Sequence, residues 1–75
     1  MRAYVTLSGY NEDFDVATYT IIIPTPSGMK SQIIKIWNSG MIHYDCIRKI
    51  EKCLKEKYKS EFEIIELEPE FDIIK

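Results

Sequence analysis

The chain has few of the features that mark membrane, secreted or metal-binding proteins. Its 75 residues include three glycines, three prolines, two cysteines and one histidine. No apolar run approaches the ~18 residues that cross a bilayer, and the first residues enter strand-like sequence without the apolar core of a signal peptide. We therefore predict a cytoplasmic protein that does not contact membranes.

The scarcity of cysteine and histidine also argues against a stabilising disulfide or a structural metal site. Cys46 and Cys53 lie seven residues apart on a predicted helix, so their Cα atoms are roughly 10 Å apart, beyond the ~7 Å reach of a disulfide. We predict free thiols that fill core space, since an intermolecular disulfide would require an oxidising compartment. Even with His43, this region of one chain cannot supply the four ligands of a tetrahedral zinc site, and we expect no metal and no cofactor.

No segment carries a catalytic signature. The densest reactive cluster is His43-Tyr44-Asp45-Cys46, but adjacent helical residues point about 100° apart, so Asp45 diverges from the face that His43 and Cys46 share. We interpret this cluster as a helix start with a core-facing cysteine. We therefore expect no enzymatic activity, because an active site would have to be assembled across subunits.

Two loops contain polar groups that do not form a ligand-binding motif. Glu12, Asp13 and Asp15 crowd the first turn without the spaced glycine and final glutamate of a calcium-binding loop, so we predict a solvated acidic turn. Residues 24–30 contain one glycine and one lysine but precede a strand rather than a helix, unlike a phosphate-binding loop. We predict a hairpin turn there, with a contact loop as the alternative.

The sequence does contain a regular succession of strand and helix patterns. Apolar runs that alternate or are rich in β-branched residues predict strands over 2–8, 14–23, 29–37 and 62–67. A 3.6-residue period predicts one helix that starts between 41 and 45, capped by Asp45 or Ser39, and ends near 59. The predicted fold class is α+β: a single domain with a small antiparallel sheet and one helix packed on one face, in the order β-β-β-α-β.

One helix cannot cover a sheet of this size. Four strands at ~4.8 Å spacing span roughly 15 to 20 Å, whereas a helix is ~10 Å across. Consecutive isoleucines at 21–23, 33–34 and 64–65 place apolar side chains on both faces of the sheet, whichever register holds. A chain this short is also only marginally stable as a single core, so we expect a second subunit or a partner to cover the open face.

The orientation of the strands decides which side chains line that open face. If Val5 and Ile36 face the helix, alternation places Tyr4, Ile33 and Trp37 on the open side. Large aromatic residues flanked by aliphatic ones are the usual anchors of protein interfaces. The opposite orientation of the third strand remains the alternative.

Charge is segregated along the second half of the chain. Residues 48–59 carry six basic and two acidic side chains, a net of +4, and residues 60–75 carry six acidic and one basic, a net of −5. The first interpretation is that the acidic strand lies beside the basic helix and the two fields largely cancel. The second is that the helix binds nucleic acid through Lys52, Lys55 and Lys59, against which the chain's net charge of −2 argues.

A third interpretation is that the acidic strand docks on a basic protein surface, one that in other settings holds nucleic acid. Its contact residues would be Glu66, Glu68 and Phe71. The tail 71–74 would add a short edge segment or reach another subunit.

The order β-β-β-α-β is similar to the first half of the ribonuclease H-like fold, which HicB-type antitoxins use in reduced form. Ribonucleases of that fold need an acidic metal ligand in the first strand, where this chain has Tyr4-Val5-Thr6-Leu7, so their two-metal chemistry is not expected here. In its size, its acidity and its lack of a catalytic signature, the chain also resembles the small inhibitors that phages and other mobile elements encode against host defence proteins. We therefore expect a regulatory, protein-binding module that forms a homodimer, with nucleic-acid binding as the alternative.

Overall fold

A computed structural model describes residues 1–40 and 42–68 of the chain. They form four strands and one helix: β1 (Arg2–Asn11), β2 (Val16–Thr25), β3 (Gly28–Trp37), α1 (His43–Tyr58) and β4 (Glu63–Glu66). The predicted class and element order are confirmed. β1 is longer than predicted because it continues past a bulge between Leu7 and Gly9, where one extra residue shifts the register against β2.

The sheet has the strand order β3-β2-β1-β4. The first three strands form an antiparallel meander, and β4 pairs parallel to β1, so the sheet is mixed rather than wholly antiparallel. A parallel pair requires a long crossover, and α1 supplies it by carrying the chain from one edge of the sheet to the other. β3 and β4 are consequently the two edges of the described sheet.

The core lies between α1 and one face of the sheet. The helix contributes Cys46, Ile47, Ile50 and Leu54 to it, at the three- and four-residue spacing of one helical stripe. The sheet contributes alternate residues of each strand, among them Val5, Leu7, Tyr19, Ile21, Ile23 and Ile36. Val5 and Ile36 therefore face the helix, as predicted, with Ile34 partly buried beside them.

The helix begins at His43, within the predicted range, but its cap differs from the sequence prediction. Its N-cap position is occupied by Ile42, without a side-chain cap hydrogen bond, and neither Asp45 nor Ser39 caps it. Asp45 lies inside the first turn, and the Ser39 hydroxyl donates instead to Asp15, 3.0 Å away. The backbone N–H of Cys46 donates to the Ile42 carbonyl, which closes the first helical turn.

The acidic turn is not simply solvated, because Asp15 organises the connection between β3 and α1. Its carboxylate accepts hydrogen bonds from the Tyr10 hydroxyl, the Ser39 hydroxyl and the Gly40 N–H, at 2.8 to 3.0 Å. The hydrogen bond from the Gly40 N–H is the largest cause of the lowered pKa of Asp15, followed by that from Tyr10. Asp15 thus ties the β1–β2 turn to the chain that leaves β3.

Both cysteines are free, as predicted, but only one fills the core. Cys46 is buried and Cys53 is exposed, although seven residues on a helix return to nearly the same face. The difference arises because Cys53 lies over the margin of the sheet, beside Ile34 and Ile36 of the edge strand β3.

Candidate protein-binding surface

Three large apolar side chains of β3 project away from the helix into solvent. Met29, Ile33 and Trp37 are 74%, 65% and 63% exposed. They occupy every fourth position of one strand, so all three lie on the open face, and neighbours in the series are ~13 Å apart along the strand. We call these residues the β3 stripe. Sequence reasoning found Ile33 and Trp37 but missed Met29, which the same alternation would have placed beside them.

The structure does not bring Tyr4 into this stripe. Tyr4 is half-buried on β1, between Ile22 of β2 and Ile65 of β4 in the same cross-strand row. That row meets β3 at Ser31, six residues from Trp37, which places Tyr4 more than ~20 Å from the tryptophan. The pairing registers of β1 with β2 and of β2 with β3 place the two aromatic residues near opposite ends of the sheet.

The centre of the open face is polar. Thr6, Ser8, Thr18 and Thr20 form a hydroxyl-rich belt there on β1 and β2. The Thr20 hydroxyl donates to that of Ser8 at 3.0 Å, and the Ser8 hydroxyl donates to the Thr18 carbonyl at 3.3 Å. This face is therefore apolar at the β3 margin and in the Tyr4 row, rather than across its whole width.

On the other side of β3, a groove separates the strand from the helix. Ile34 and Ile36 of β3 and Lys49, Lys52, Cys53 and Glu56 of α1 are among its lining residues. At the far end of the strand, Gln32 accepts a hydrogen bond from Lys57 at 2.9 Å, and Lys30 lies over the Tyr58 ring. The edge of β3 is thus bordered by apolar groups on both faces of the sheet.

Glutamates in the predicted acidic docking segment already contact basic side chains of the same chain. Glu66 binds His43, Glu63 binds Arg2, and Glu61 binds Lys55 at 2.7 Å. The Lys55–Glu61 pair joins the basic segment to the acidic one and favours the interpretation that the two fields cancel. Glu63 and Glu66 are instead bound by residues outside 48–59. Glu68 is exposed, and Phe71, the remaining residue of that prediction, lies outside the described residues.

The histidine of the reactive cluster joins three elements of the fold. Its Nε2 lies 2.5 Å from the Glu66 carboxylate of β4, and its Nδ1 lies 3.1 Å from the Tyr19 hydroxyl of β2. Because a carboxylate only accepts, Nε2 donates a hydrogen bond to Glu66. In the neutral tautomer that this requires, Nδ1 accepts a hydrogen bond from the Tyr19 hydroxyl. Burial raises the pKa of Tyr19, and the Cys46 thiol and Glu66 raise it further.

The hydrogen bonds of His43 with Tyr19 and Glu66 hold β4 against the start of the helix. They give each of these three polar side chains a structural partner. Among residues 1–40 and 42–68, no group of three or more histidine, cysteine or acidic side chains is placed to hold a metal ion.

The three lysines of the nucleic-acid alternative do lie together. Lys52, Lys55 and Lys59 line one shallow depression at the end of α1, with Glu56 and Glu61 in the same depression. The ion pair with Glu61 raises the pKa of Lys55 and partly neutralises the cluster.

No protein-family model matches the chain, and neither a curated protein nor a solved structure matches it. Within the described residues, no helix has both the length and the apolar character needed to cross a membrane.

Proposed function

We propose that this chain is a non-enzymatic, regulatory module that binds protein through the β3 stripe. The observation that carries the proposal is the exposure of Met29, Ile33 and Trp37 in one row on an edge strand. Single exposed apolar residues are ordinary on a protein surface. An aligned series beside unpaired strand groups is the arrangement that favours strand addition by a partner, in which backbone hydrogen bonds give affinity and alternate side chains give specificity.

The chemistry of the remaining side chains supports binding rather than catalysis. His43, Glu66, Tyr19 and Asp15 each have structural partners that account for their positions. A module of this kind regulates by occupying a surface of its partner. Its resemblance in size and acidity to small phage-encoded inhibitors makes a host defence protein one class of target, with the exposed Glu68 as a contact for a basic surface.

The test compares capture of partners by the wild-type chain and by a double variant, Ile33→Ser with Trp37→Ser. The bait is immobilised and incubated with lysate of the host in which the chain is expressed, and bound proteins are quantified by mass spectrometry. We expect the specific partner to be depleted at least about tenfold by the variant, since buried aromatic and aliphatic anchors contribute most of an interface's affinity. Equal recovery on both baits would contradict the proposal.

The matched control is Tyr44→Ser, which removes an equally exposed aromatic side chain (68%) from the helix instead of the sheet. It should capture the partner as the wild type does. Far-UV circular dichroism of all three proteins should be the same, because none of the substituted side chains belongs to the buried core. Loss of structure in the double variant would assign Ile33 and Trp37 to the core and contradict a binding role.

Nucleic-acid binding by α1 is the second candidate, favoured by the grouping of Lys52, Lys55 and Lys59 around one depression. Three phosphate contacts would make the logarithm of the affinity fall with the logarithm of salt concentration at a slope of about −2 to −3. Electrophoretic mobility of labelled DNA and RNA with the wild type and Lys52→Gln measures this dependence. Unshifted DNA and RNA at low salt would eliminate the candidate.

A further inference from the structure

We infer that the partner of the β3 stripe is a second copy of this chain, paired antiparallel through β3 with its two-fold axis at Ile33. The two four-stranded sheets would then form one continuous sheet with both helices on the same side. The inference rests on the proposed function, because it uses the same stripe as the binding surface.

The spacing of the stripe is self-complementary. Met29 precedes Ile33 by four residues and Trp37 follows it by four. A two-fold axis perpendicular to the sheet reverses the strand direction but keeps each face on its own side, as an isologous dimer requires. In this register Ile33 faces the partner's Ile33, and each Met29 faces the partner's Trp37, with Cβ atoms ~4.5 to 5.5 Å apart.

Charge selects the same register among those that symmetry permits. Centred on Ile33, the pairing places Lys35 opposite the partner's Ser31 and Lys30 opposite the partner's Ile36. Moving the axis to Lys35 places two lysines directly opposite each other, which is destabilising. Moving it to Gln32 or Ile34 places Ile33 opposite a serine or a lysine. The Ile33 register is therefore the one that pairs all three stripe residues among themselves while separating the charges.

The backbone and the helix side of β3 also suit this partner. β3 runs for ten residues, 28–37, without a proline, so none of the alternate N–H groups that point away from β2 is missing for a second ladder. On the helix side, Ile34 would face the partner's Gln32 across the axis, beside the groove lined by Cys53. In the Ile33 register, residues 29–37 all lie opposite a residue of the partner's strand.

The first experiment measures mass by sedimentation equilibrium over a wide range of concentrations. We expect the wild type to reach twice the 8.8 kDa of the chain. Ile33→Lys should shift the equilibrium to the monomer by at least about tenfold in dissociation constant, because it places two ammonium groups opposite each other at the axis. Tyr44→Lys makes the same kind of change at an equally exposed helical position and should leave the dimer intact.

The second experiment tests the register with single cysteines at Ser31, Ile33 and Lys35, each in a Cys53→Ser background. Ile33→Cys should form a disulfide-linked dimer under mild oxidation, because directly opposite Cα atoms lie about 4.5 to 5.5 Å apart, within disulfide reach. Ser31→Cys and Lys35→Cys should cross-link at least about tenfold more slowly, since each lies four residues, or ~13 Å, from its own copy across the axis. Faster linkage at 31 or 35 would overturn the register.

A wild type that stays monomeric at all concentrations would overturn the dimer, including the case in which residues 69–75 cover the stripe of their own chain. That outcome is distinguishable from failure of the proposed function. If the monomer still captures a foreign protein in an Ile33- and Trp37-dependent way, the binding surface stands and the second copy is not its occupant. If the dimer forms but capture of a foreign protein does not depend on the stripe, the dimer is supported and binding of a foreign target through the stripe is contradicted.

Discussion

The two edges of the sheet are built in opposite ways. β4 has four residues, and both of its glutamates are bound by side chains from other elements: Glu63 by Arg2 and Glu66 by His43. β3 has ten residues and presents Met29, Ile33 and Trp37 to solvent. Short length and charged residues are the devices by which proteins prevent an edge strand from pairing with another molecule.

This contrast indicates which edge of the chain is available for binding. At β4, the short length and the charged side chains disfavour further pairing. At β3, Lys30 and Lys35 are the charged residues, and both would face uncharged residues in the proposed register. One short, charged edge and one long, apolar edge give the asymmetry that the proposed strand addition at β3 requires.

The largest expected effect comes from weakening the packing of the helix that joins the two edges against the sheet. Ile50→Ala should lower the free energy of unfolding by about 2–5 kcal/mol, because Ile50 is fully buried under the helix and its removal leaves a cavity. Ile33→Ala makes the same change on the exposed stripe and should alter the monomer by less than about 0.5 kcal/mol. Urea unfolding at low protein concentration measures both. Equal losses would mean that the stripe belongs to the core and that the edges do not differ.

An intermediate effect is expected where Asp15 anchors the chain that leaves β3. Its pKa is lower in the folded protein than the ~3.9 of an unfolded chain, so the folded state binds this proton less readily. The stability that this carboxylate contributes is therefore complete above about pH 5 and is lost as the pH falls through its folded pKa. Thermal unfolding of the wild type should show a steeper loss below pH 5 than that of Asp15→Asn.

Asp13→Asn is the control for this pH dependence, because it removes the same charge from an exposed position in the same turn. We expect its acid profile to follow that of the wild type. An Asp15→Asn profile parallel to the wild type would show that the hydrogen bonds from Gly40 and Tyr10 do not stabilise the ionised form.

The smallest effect is expected at the β4 edge, where Tyr19→Phe removes one hydroxyl from the hydrogen bond with His43. The loss should be about 0.5–1.5 kcal/mol, the usual net contribution of one such bond. Amide hydrogen exchange should become faster at Glu63 and Leu67, whose N–H groups donate to β1 or to Met1, while exchange in β3 stays unchanged. Tyr44→Phe, on an exposed tyrosine, is the control. Faster amide exchange in both β3 and β4 would contradict the prediction that the Tyr19–His43 hydrogen bond anchors β4 and not β3.

Several features of the binding surface followed from the sequence because alternation is a local property. The pattern from Ile33 to Trp37 placed both residues opposite Ile36, and the structure has the same orientation. Tyr4 could not be placed in this way. Its distance from Trp37 depends on the pairing registers of β1, β2 and β3, which no periodicity encodes.

The polar residues show the same limit. His43 and Glu66 are 23 positions apart, and Asp15 and Gly40 are 25 apart. Sequence reasoning treated the first pair as a helix start and a docking residue, and the Asp15 turn as a solvated loop. Each residue alone fits those interpretations, and the hydrogen bonds that override them exist only between segments that folding brings together.

The sequence by itself determined the α+β class, the order of the five elements and the side chains that face the helix, because side-chain period and turn composition depend on neighbours within a few residues. The tertiary structure alone decided which strands became edges, that β4 runs parallel to β1, and which acidic groups are bound by partners of the same chain. Those outcomes depend on contacts between residues that are far apart in the chain. The edge at β3 is the clearest of them, because a strand is an edge only when no second strand pairs with it, as holds for β3 among residues 1–40 and 42–68.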